Sequence, residues 1–176
     1  MSVPEFPILC AVELTVGPVE FVNSTPSDYL ARAWIQQRMR FNVETDGQID
    51  VVDVTDQVAA AVPAVEAGVC TVFVHHTTAA LSINEAESRL VDDIEAFVAT
   101  LSAPDGWAHD ALDGNADAHL RTSLIGRSVS LPIRDGELAL GTWQSILLIE
   151  CDGPRNRELT VTAKPRAATP SGTPTE

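Results

Sequence analysis

The sequence predicts an α+β domain whose strands pair mainly antiparallel, and two observations support this class. Segments with strand-like alternation are joined by short turns such as Asp46-Gly47 and Asp135-Gly136, which are typical of hairpins. The helical segments stand apart from these hairpins, which favours an antiparallel sheet over a doubly wound parallel one. With 176 residues, 45% of them hydrophobic, the chain has the size and the apolar side chains of one such domain.

The first predicted elements are two strands and a helix. Residues 38–44 alternate polar and apolar side chains, as a half-buried strand does. The Asp46-Gly47 turn predicts that this strand forms a hairpin with a second strand over residues 49–54. Thr55 is then expected to cap a helix that continues to about residue 65, where Pro63 disturbs the last turn.

A buried strand, a long helix and a polar loop are predicted next. Residues 69–74 are rich in β-branched side chains, which is typical of a buried strand. Ser82 and Glu85 have the spacing of a capping box, which predicts a helix from about residue 84 to residue 101. Residues 102–117 are polar and are expected to form a functional loop without secondary structure of its own.

The last part of the chain predicts a meander of strands over residues 129–133, 137–140, 146–150 and 159–163. The domain is therefore expected to span residues 36–164. Residues 1–35 form an N-terminal extension without a clear period. Residues 165–176 are rich in Pro and Thr, and we expect a disordered tail there.

Composition restricts the classes of partner. A formal net charge of −14 argues against nucleic acid, because a phosphate backbone would be repelled. The three cysteines are too scattered for a disulfide framework, and Cys70 and Cys151 are expected to be buried thiols. No apolar run approaches the ~20 residues that span a bilayer, so no membrane partner is expected. The first residues lack the basic start of a secretory signal, which makes the cytoplasm the expected location.

The four histidines all lie between residues 75 and 119, and imidazole is both a neutral-pH acid or base and a common metal ligand. His76 directly follows the predicted buried strand, which would hold its ring rigidly. Its neighbour His75 is expected to point the other way, so at most one of the two enters a site. His109 and His119 belong to the polar loop and its end. The alternative is that these rings cap helices and tie down the loop.

Polar and basic side chains near these histidines are further candidates. Asn115 and Asp117 lie close to His119 in sequence and are candidates to orient its ring, with ordinary turn chemistry as the alternative. Arg155 and Arg157 have the guanidinium fork that matches a phosphate group. Their alternative role is to form salt bridges in an acidic protein.

Four motifs that occur in order carry a resemblance to a known family. They are His76-Thr77-Thr78-Ala79-Ala80 through Ile83-Asn84-Glu85, Asn115-Ala116-Asp117-Ala118-His119-Leu120, Gly141-Thr142-Trp143-Gln144, and Glu150-Cys151-Asp152-Gly153-Pro154-Arg155-Asn156-Arg157. Together they resemble the YjbQ-like family over about residues 36–164. Two departures are Glu87-Ser88-Arg89, where members often have Asp-Pro, and the N-terminal extension.

The resemblance implies a compact α+β fold that assembles as a homotrimer, with a histidine-carboxylate pocket. It implies three histidines, His76, His109 and His119, as catalytic groups or as ligands of a divalent metal, either zinc or magnesium. Glu85 and Asn115 complete the implied catalytic set, and Asp93 matches a further motif position. The implied substrate-binding residues are Thr77, Thr78, Gln144, Arg155 and Arg157.

The resemblance also implies an activity. Members of the family carry a secondary thiamine-phosphate synthase activity, which joins a pyrimidine diphosphate to a thiazole phosphate with loss of pyrophosphate. The chain is therefore expected to be a transferase that acts on a small phosphate ester. The alternatives are a non-catalytic homotrimer that binds a metal or a metabolite, and a trimer whose polar motifs serve subunit contacts.

Overall fold

A computed structural model describes residues 37–62 and 65–166. In chain order its elements are β1 Gln37–Glu44, β2 Asp50–Asp53, α1 Thr55–Ala61, β3 Gly68–Val74, β4 Ala79–Asn84, α2 Ser88–Thr100, a 3₁₀ helix Ala108–Ala111, α3 Ala116–Ile125, β5 Ser128–Arg134, β6 Glu137–Leu138, β7 Ser145–Glu150 and β8 Asn156–Pro165. The predicted N-terminal extension and the predicted tail beyond residue 166 lie outside these described residues. Within the described ranges, no helix has the length and apolar character needed to cross a membrane.

The strands form two antiparallel sheets. The large sheet has the order β1-β8-β3-β5-β6, and the small sheet has the order β2-β7-β4. Every strand pair in the described part of the chain is antiparallel. The predicted α+β class with mainly antiparallel pairing is therefore confirmed.

The main core lies between the two sheets. Val72 and Leu159 of the large sheet, and Leu81 and Leu148 of the small sheet, belong to one buried apolar cluster. Burying each such side chain stabilises the fold by about 1.5–3 kcal/mol. Cys70 lies in this core, and burial raises the pKa of its thiol to about 11, as expected for a thiol that acts as a small hydrophobe.

Helices cover the other face of the small sheet. Val98 of α2 and Ala118 of α3 belong to a second buried cluster with Leu147 and Ile149 of β7. The small sheet is therefore apolar on both faces. This explains why residues 146–149 form an unbroken apolar run without polar alternation.

The predicted hairpin of residues 38–44 and 49–54 is wrong, although both strands exist. β1 pairs with β8 in the large sheet, whereas β2 pairs with β7 in the small sheet. The chain crosses from one sheet to the other between them. Local alternation cannot show this, because it identifies a half-buried strand without selecting its partner.

The predicted capping box at Ser82 and Glu85 is also wrong. Ser82 lies inside β4, where it pairs with Leu147 of β7. Helix α2 begins only at Ser88, and the Glu87 carboxylate caps it by accepting a hydrogen bond from the backbone N–H of Leu90 at 3.2 Å. Cross-strand pairing and burial therefore decide the conformation of residues 79–84 against the local helix signal.

The polar segment 102–117 contains helical structure that was not predicted. It includes the 3₁₀ helix, and α3 begins at Ala116. The amphipathic signal of α3 is weak because its buried face contains a charged pair, Asp117 and Arg121, whose atoms approach to 2.7 Å. The predicted four-strand meander holds only for β5 and β6, since β7 lies in the other sheet and β8 pairs with β1 and β3.

The predicted helix after residue 54 is confirmed with different ends. Thr55 is the first residue of α1 rather than its cap, and the helix ends at Ala61. The Thr55 hydroxyl donates to Asp53 at 2.5 Å and accepts the backbone N–H of Ile146 at 2.8 Å. The start of α1 is thereby held against the start of β7.

Candidate functional site

The predicted site residues separate into two groups at opposite ends of the small sheet. The register pairs Ala79 with Glu150 at one end of β4 and β7, and Asn84 with Ser145 at the other. We name these the histidine end and the turn end. The six residues of β7 place the two ends about 17 Å apart.

Most of the predicted site residues lie at the histidine end, past the ends of β4 and β7 that Ala79 and Glu150 mark. They are His76, Thr77, Thr78, His109, Asn115, His119, Arg155 and Arg157. Helix α3 is tied there by the Thr122 hydroxyl, which donates to the carbonyl oxygen of Thr77 at 2.6 Å. The 3₁₀ helix is tied to α3 in turn, because Asp110 accepts the backbone N–H of Ala116 at 3.2 Å.

Two imidazoles meet at the histidine end. The rings of His109 and His119 pack edge to face, with 5.1 Å between their centroids. Among the described residues, the buried Nε2 atom of His109 has no hydrogen-bond partner, although the side chain as a whole is 40% exposed. Its distance of 3.9 Å to an Asp113 carboxylate oxygen is too long for a hydrogen bond. This nitrogen therefore has unused hydrogen-bonding capacity within the described part of the chain.

Asn115 and Arg155 share one carboxylate beside these rings. The Asn115 side-chain amide donates to Oδ2 of Asp152 at 3.1 Å, and Nη2 of Arg155 lies 3.4 Å from the same oxygen. The Asn115 side-chain oxygen is buried and has no hydrogen-bond partner within residues 37–62 and 65–166. Arg155 is exposed over about half of its side chain.

Arg157 is placed differently from Arg155, because it forms a buried ion pair with Glu150. Its Nε donates to Glu150 at 2.6 Å, its Nη2 contacts the other Glu150 oxygen, and Nη2 also donates to the Thr78 hydroxyl at 2.9 Å. Thr45 donates to the same carboxylate at 3.1 Å. For Arg157, the structure therefore shows the salt bridge that was the alternative to phosphate binding.

The neighbours His75 and His76 contact different surroundings. His75 lies against the Phe73 ring, and its Nε2 is 2.6 Å from the Thr160 hydroxyl. His76 accepts the backbone N–H of Glu158 at Nε2, at 3.0 Å. Burial, and then the Arg157 charge, lower the pKa of His76 below its usual value. Because Nε2 accepts the Glu158 N–H it carries no proton, so the ring proton lies on Nδ1.

The turn end contains Glu85 and Gln144, together with Trp143. Residues 141–144 form a tight turn in which Gly141 accepts the Gln144 backbone N–H at 2.9 Å and donates its own N–H to the Gln144 side chain at 2.8 Å. Trp143 is held on this turn with 72% of its surface exposed. Glu85 is half-buried in the loop after β4, and Asp93 is exposed on α2.

Within one chain, the described residues bring together two of the three histidines predicted to bind a divalent metal. His109 and His119 bring two imidazoles together, but the described part of the chain contains no group of three or more His, Cys, Asp or Glu side chains that could hold a metal ion. We therefore derive no step of a reaction through zinc or magnesium.

Glu150 and Asp152 were missed as individual candidates. Glu150 stands at the end of the apolar run of β7, and a charged residue that ends such a run is a usable signal for a buried pair. Asp152 has no comparable local signal, because its contacts with Asn115 and Arg155 come from the tertiary fold.

Comparison with known proteins agrees with this architecture. The model of the family described as UPF0047 protein YjbQ-like matches residues 39–165. A UPF0047 protein of Archaeoglobus fulgidus is 46% identical over 126 residues, which cover 71% of this chain and 99% of that protein. A UPF0047 protein of Methanothermobacter thermautotrophicus is 41% identical over 122 residues, covering 68% of this chain and 85% of the relative.

Solved structures give the same result. A YbjQ-like protein of unknown function from Sulfolobus solfataricus has a TM-score of 0.72 and 38% identity, covering 74% of this chain and 98% of that one. A hypothetical protein from Aeropyrum pernix has a TM-score of 0.70 and 42% identity, covering 73% and 98%. The fold and its motifs define a small two-sheet α+β protein, and the chain belongs to the UPF0047, or YjbQ-like, family. The resemblance drawn from the four motifs is thereby confirmed.

Proposed function

We propose that the histidine end binds a small phosphate ester and transfers a group from it, as a thiamine-phosphate synthase-like transferase that works as a homotrimer. One observation supports this most strongly. The Nε2 of His109 and the side-chain oxygen of Asn115, both buried and without a hydrogen-bond partner among the described residues, lie at the histidine end, where Asn115 and the half-exposed Arg155 contact Asp152. Buried polar atoms without partners are rare in native proteins, and a bound ligand accounts for them.

The reaction needs only binding and proton transfer from these residues. The bond between the pyrimidine methylene carbon and the diphosphate oxygen breaks, and the nitrogen lone pair of the thiazole forms the new carbon–nitrogen bond. Pyrophosphate leaves with the electron pair of the broken bond. Arg155 stabilises the charge on that leaving group, and a protonated His109 or His119 donates a proton to it.

The other residues position this group. Asp152 holds the Asn115 amide and lies beside Arg155, so it sets the distance between them. Glu150 and Arg157 fix the junction between β7 and β8 from which Arg155 extends. His76 is anchored to the first residues of β8 through its Nε2, which leaves only its Nδ1 without a described contact.

A second candidate function is a non-catalytic homotrimer that binds a metabolite or a metal. It is favoured by the fact that two predicted functional groups are already used inside the chain, namely the Arg157 guanidinium and the His76 Nε2. A site left with two histidines, an amide and the half-exposed Arg155 is sufficient to bind an anion without transforming it.

The test measures pyrophosphate release from the pyrimidine diphosphate and thiazole phosphate, beside calorimetric binding of inorganic pyrophosphate. His119→Ala is expected to reduce the release rate by roughly 10²–10⁴-fold. Arg155→Ala is expected to weaken pyrophosphate binding. His75→Ala is the matched control, because its ring contacts Phe73 and Thr160 and none of the proposed groups.

The outcomes separate the two functions. Binding without release, lost in Arg155→Ala, would favour the non-catalytic protein. Absence of both binding and release in the wild type would contradict the proposal. Metal analysis of the same purified samples, with wild type beside His119→Ala, tests the zinc or magnesium prediction separately.

A further inference from the structure

We infer that Thr45 is a positioning residue for anion binding, because its hydroxyl fixes the backbone from which the Arg155 side chain extends. The inference rests on the proposed function of the histidine end and adds to it a residue from another part of the chain, directly after β1. Thr45 lies outside the four motifs and is only 4% exposed, so it acts through Arg155 rather than by touching a ligand.

Thr45 holds the backbone of Arg155 on both sides. The register of β1 and β8 ends with Glu44 opposite Asn156, and the next contact along it joins Thr45 to Arg155. The Thr45 backbone N–H donates to the Arg155 carbonyl oxygen at 2.9 Å, and the Arg155 backbone N–H donates to the Thr45 hydroxyl at 3.0 Å. Both hydrogen-bonding groups of the Arg155 backbone are therefore satisfied by one residue.

The Thr45 hydroxyl has a single proton, and its surroundings decide where that proton points. Its Oγ1 lies 3.1 Å from a Glu150 carboxylate oxygen and 3.2 Å from the Arg155 carbonyl oxygen. The carbonyl oxygen already accepts the Thr45 backbone N–H, whereas a carboxylate is the stronger acceptor. The proton therefore goes to Glu150, and the hydroxyl joins the Arg155 backbone to this buried carboxylate.

The Glu150 carboxylate also orders the rest of the segment between β7 and β8. Its Oε1 accepts the backbone N–H groups of Cys151 at 3.0 Å and Asp152 at 2.8 Å. Arg157 pairs with the same carboxylate from the start of β8. The segment that contains Arg155 is thus attached to Glu150 at both ends, and the threonine hydroxyl adds an attachment at Arg155 itself.

The Arg155 side chain depends on its backbone for its position. The side chain is 56% exposed, and the hydrogen bond described for it runs from Nη2 to Asp152 at 3.4 Å, which is long and therefore weak. An anion bound at this end must share the guanidinium with Asp152, and Asp110 and Asp113 add further negative charge nearby. Placement of the guanidinium fork before the anion arrives is therefore an important part of the affinity.

A double-mutant cycle separates this positioning role from a general loss of stability. Thr45→Val removes the hydroxyl and keeps the branched shape of the side chain. It is expected to weaken binding of inorganic pyrophosphate by about 2–10-fold, measured by calorimetry at low ionic strength. Thr45→Ser keeps the hydroxyl and is expected to bind like the wild type. In an Arg155→Ala background, Thr45→Val is expected to cause no further loss, because the group that it positions is absent.

Thr71→Val is the matched control. The Thr71 hydroxyl bonds the Ser130 hydroxyl at 2.9 Å in the large sheet, and Thr71 pairs with Thr162, about 23 Å along the chain from Arg155. This variant is expected to leave pyrophosphate binding unchanged. Circular dichroism checks that every variant is folded. If Thr45→Val does not fold, Thr45→Cys takes its place with the same expectations, because a thiol is a weak donor and acceptor.

Several outcomes would overturn the inference while the proposed function stands. They are unchanged binding in Thr45→Val, an equal loss in Thr45→Val and Thr45→Ser, and a loss in Thr45→Val that is as large in the Arg155→Ala background as in the wild type. If Arg155→Ala has no residual binding to measure, the comparison of Thr45→Val with Thr45→Ser decides. A wild type that binds no pyrophosphate would contradict the proposed function and, with it, the role of Thr45.

Discussion

Two arginines two positions apart in the sequence have opposite environments. Arg157 is 4% exposed and forms an ion pair with the fully buried Glu150, whereas the Arg155 side chain is 56% exposed. Burying a charged group costs free energy unless an opposite charge and hydrogen bonds compensate for the lost water. Arg157 therefore stabilises the fold only while Glu150 remains beside it. The sequence shows only two similar guanidinium groups, and the fold assigns one to stability and leaves the other accessible.

The first prediction concerns this pair. Arg157→Met leaves the Glu150 carboxylate buried without its partner, and we expect the free energy of unfolding to fall by about 3–5 kcal/mol. Arg155→Met is the matched control and is expected to change it by no more than about 0.5 kcal/mol. Urea denaturation measures both, and equal effects of the two substitutions would contradict the buried pair.

The second prediction concerns His76 and pH. Because the pKa of His76 is lowered in the folded state, the unfolded chain binds a proton more readily. Its contribution to stability is complete above the unfolded value near 6.5, and it is lost as the pH falls through the lowered folded pKa.

NMR titration of the imidazole ring is expected to show His76 titrating below 6.5 in the folded protein. The slope of stability against pH below 6.5 should become smaller in His76→Gln. A His76 ring that titrates above 6.5 would contradict the acceptor role of its Nε2.

At the scale of the element, the boundary between β4 and α2 shows competition between local and tertiary signals. Ser82 and Glu85 have capping-box spacing, but β4 occupies this segment and pairs along its full length with β7. The segment contains Ala80 and Leu81, which are buried in two different clusters on opposite faces of the small sheet. A strand buries both faces, whereas a helix over the same residues would expose one of them.

The third prediction tests where α2 begins. Glu87→Ala removes the carboxylate that accepts the Leu90 backbone N–H, and we expect the melting temperature to fall by about a few degrees. Glu85→Ala is the control, since Glu85 precedes the helix and caps no N–H group in it. A larger loss of thermal stability in Glu85→Ala than in Glu87→Ala would support the capping box instead.

At the scale of the whole molecule, β7 connects the layers. It is the central strand of the small sheet, with Leu148 in the main core and Leu147 in the cluster under the helices. Its last residue, Glu150, enters the buried pair, and Asp152 just beyond it contacts Asn115 and Arg155. One strand therefore couples the packing of the domain to the arrangement of the candidate site.

The fourth prediction measures this coupling. Leu148→Ala is expected to lower the free energy of unfolding by about 2–5 kcal/mol, because it removes a fully buried side chain and leaves a cavity. Leu124→Ala, at a leucine that is 72% exposed on α3, is expected to change it by no more than about 0.5 kcal/mol. Chemical denaturation measures the free energy of unfolding of both variants. A loss in Leu148→Ala no larger than that in Leu124→Ala would contradict the position of Leu148 in the core.

The sequence by itself determined the properties that depend on local pattern and on motif order. Alternation and β-branched runs located β1, β3 and β5, because the period of a strand is written in consecutive residues. The four ordered motifs identified the family, and the apolar runs around Cys70 and Cys151 predicted buried thiols, which both are. These inferences need only neighbouring residues or their order.

Tertiary structure alone decided the pairing and the environment of the site residues. β1 selects β8 rather than β2, and residues 79–84 become a strand, because contacts across more than sixty residues outweigh local spacing. The same long-range contacts bury Arg157 and leave Arg155 half-exposed, and the β4–β7 register places Glu85 and Gln144 at the end opposite the histidines. Burial and cross-strand neighbours are properties of the folded chain, and sequence spacing does not encode them.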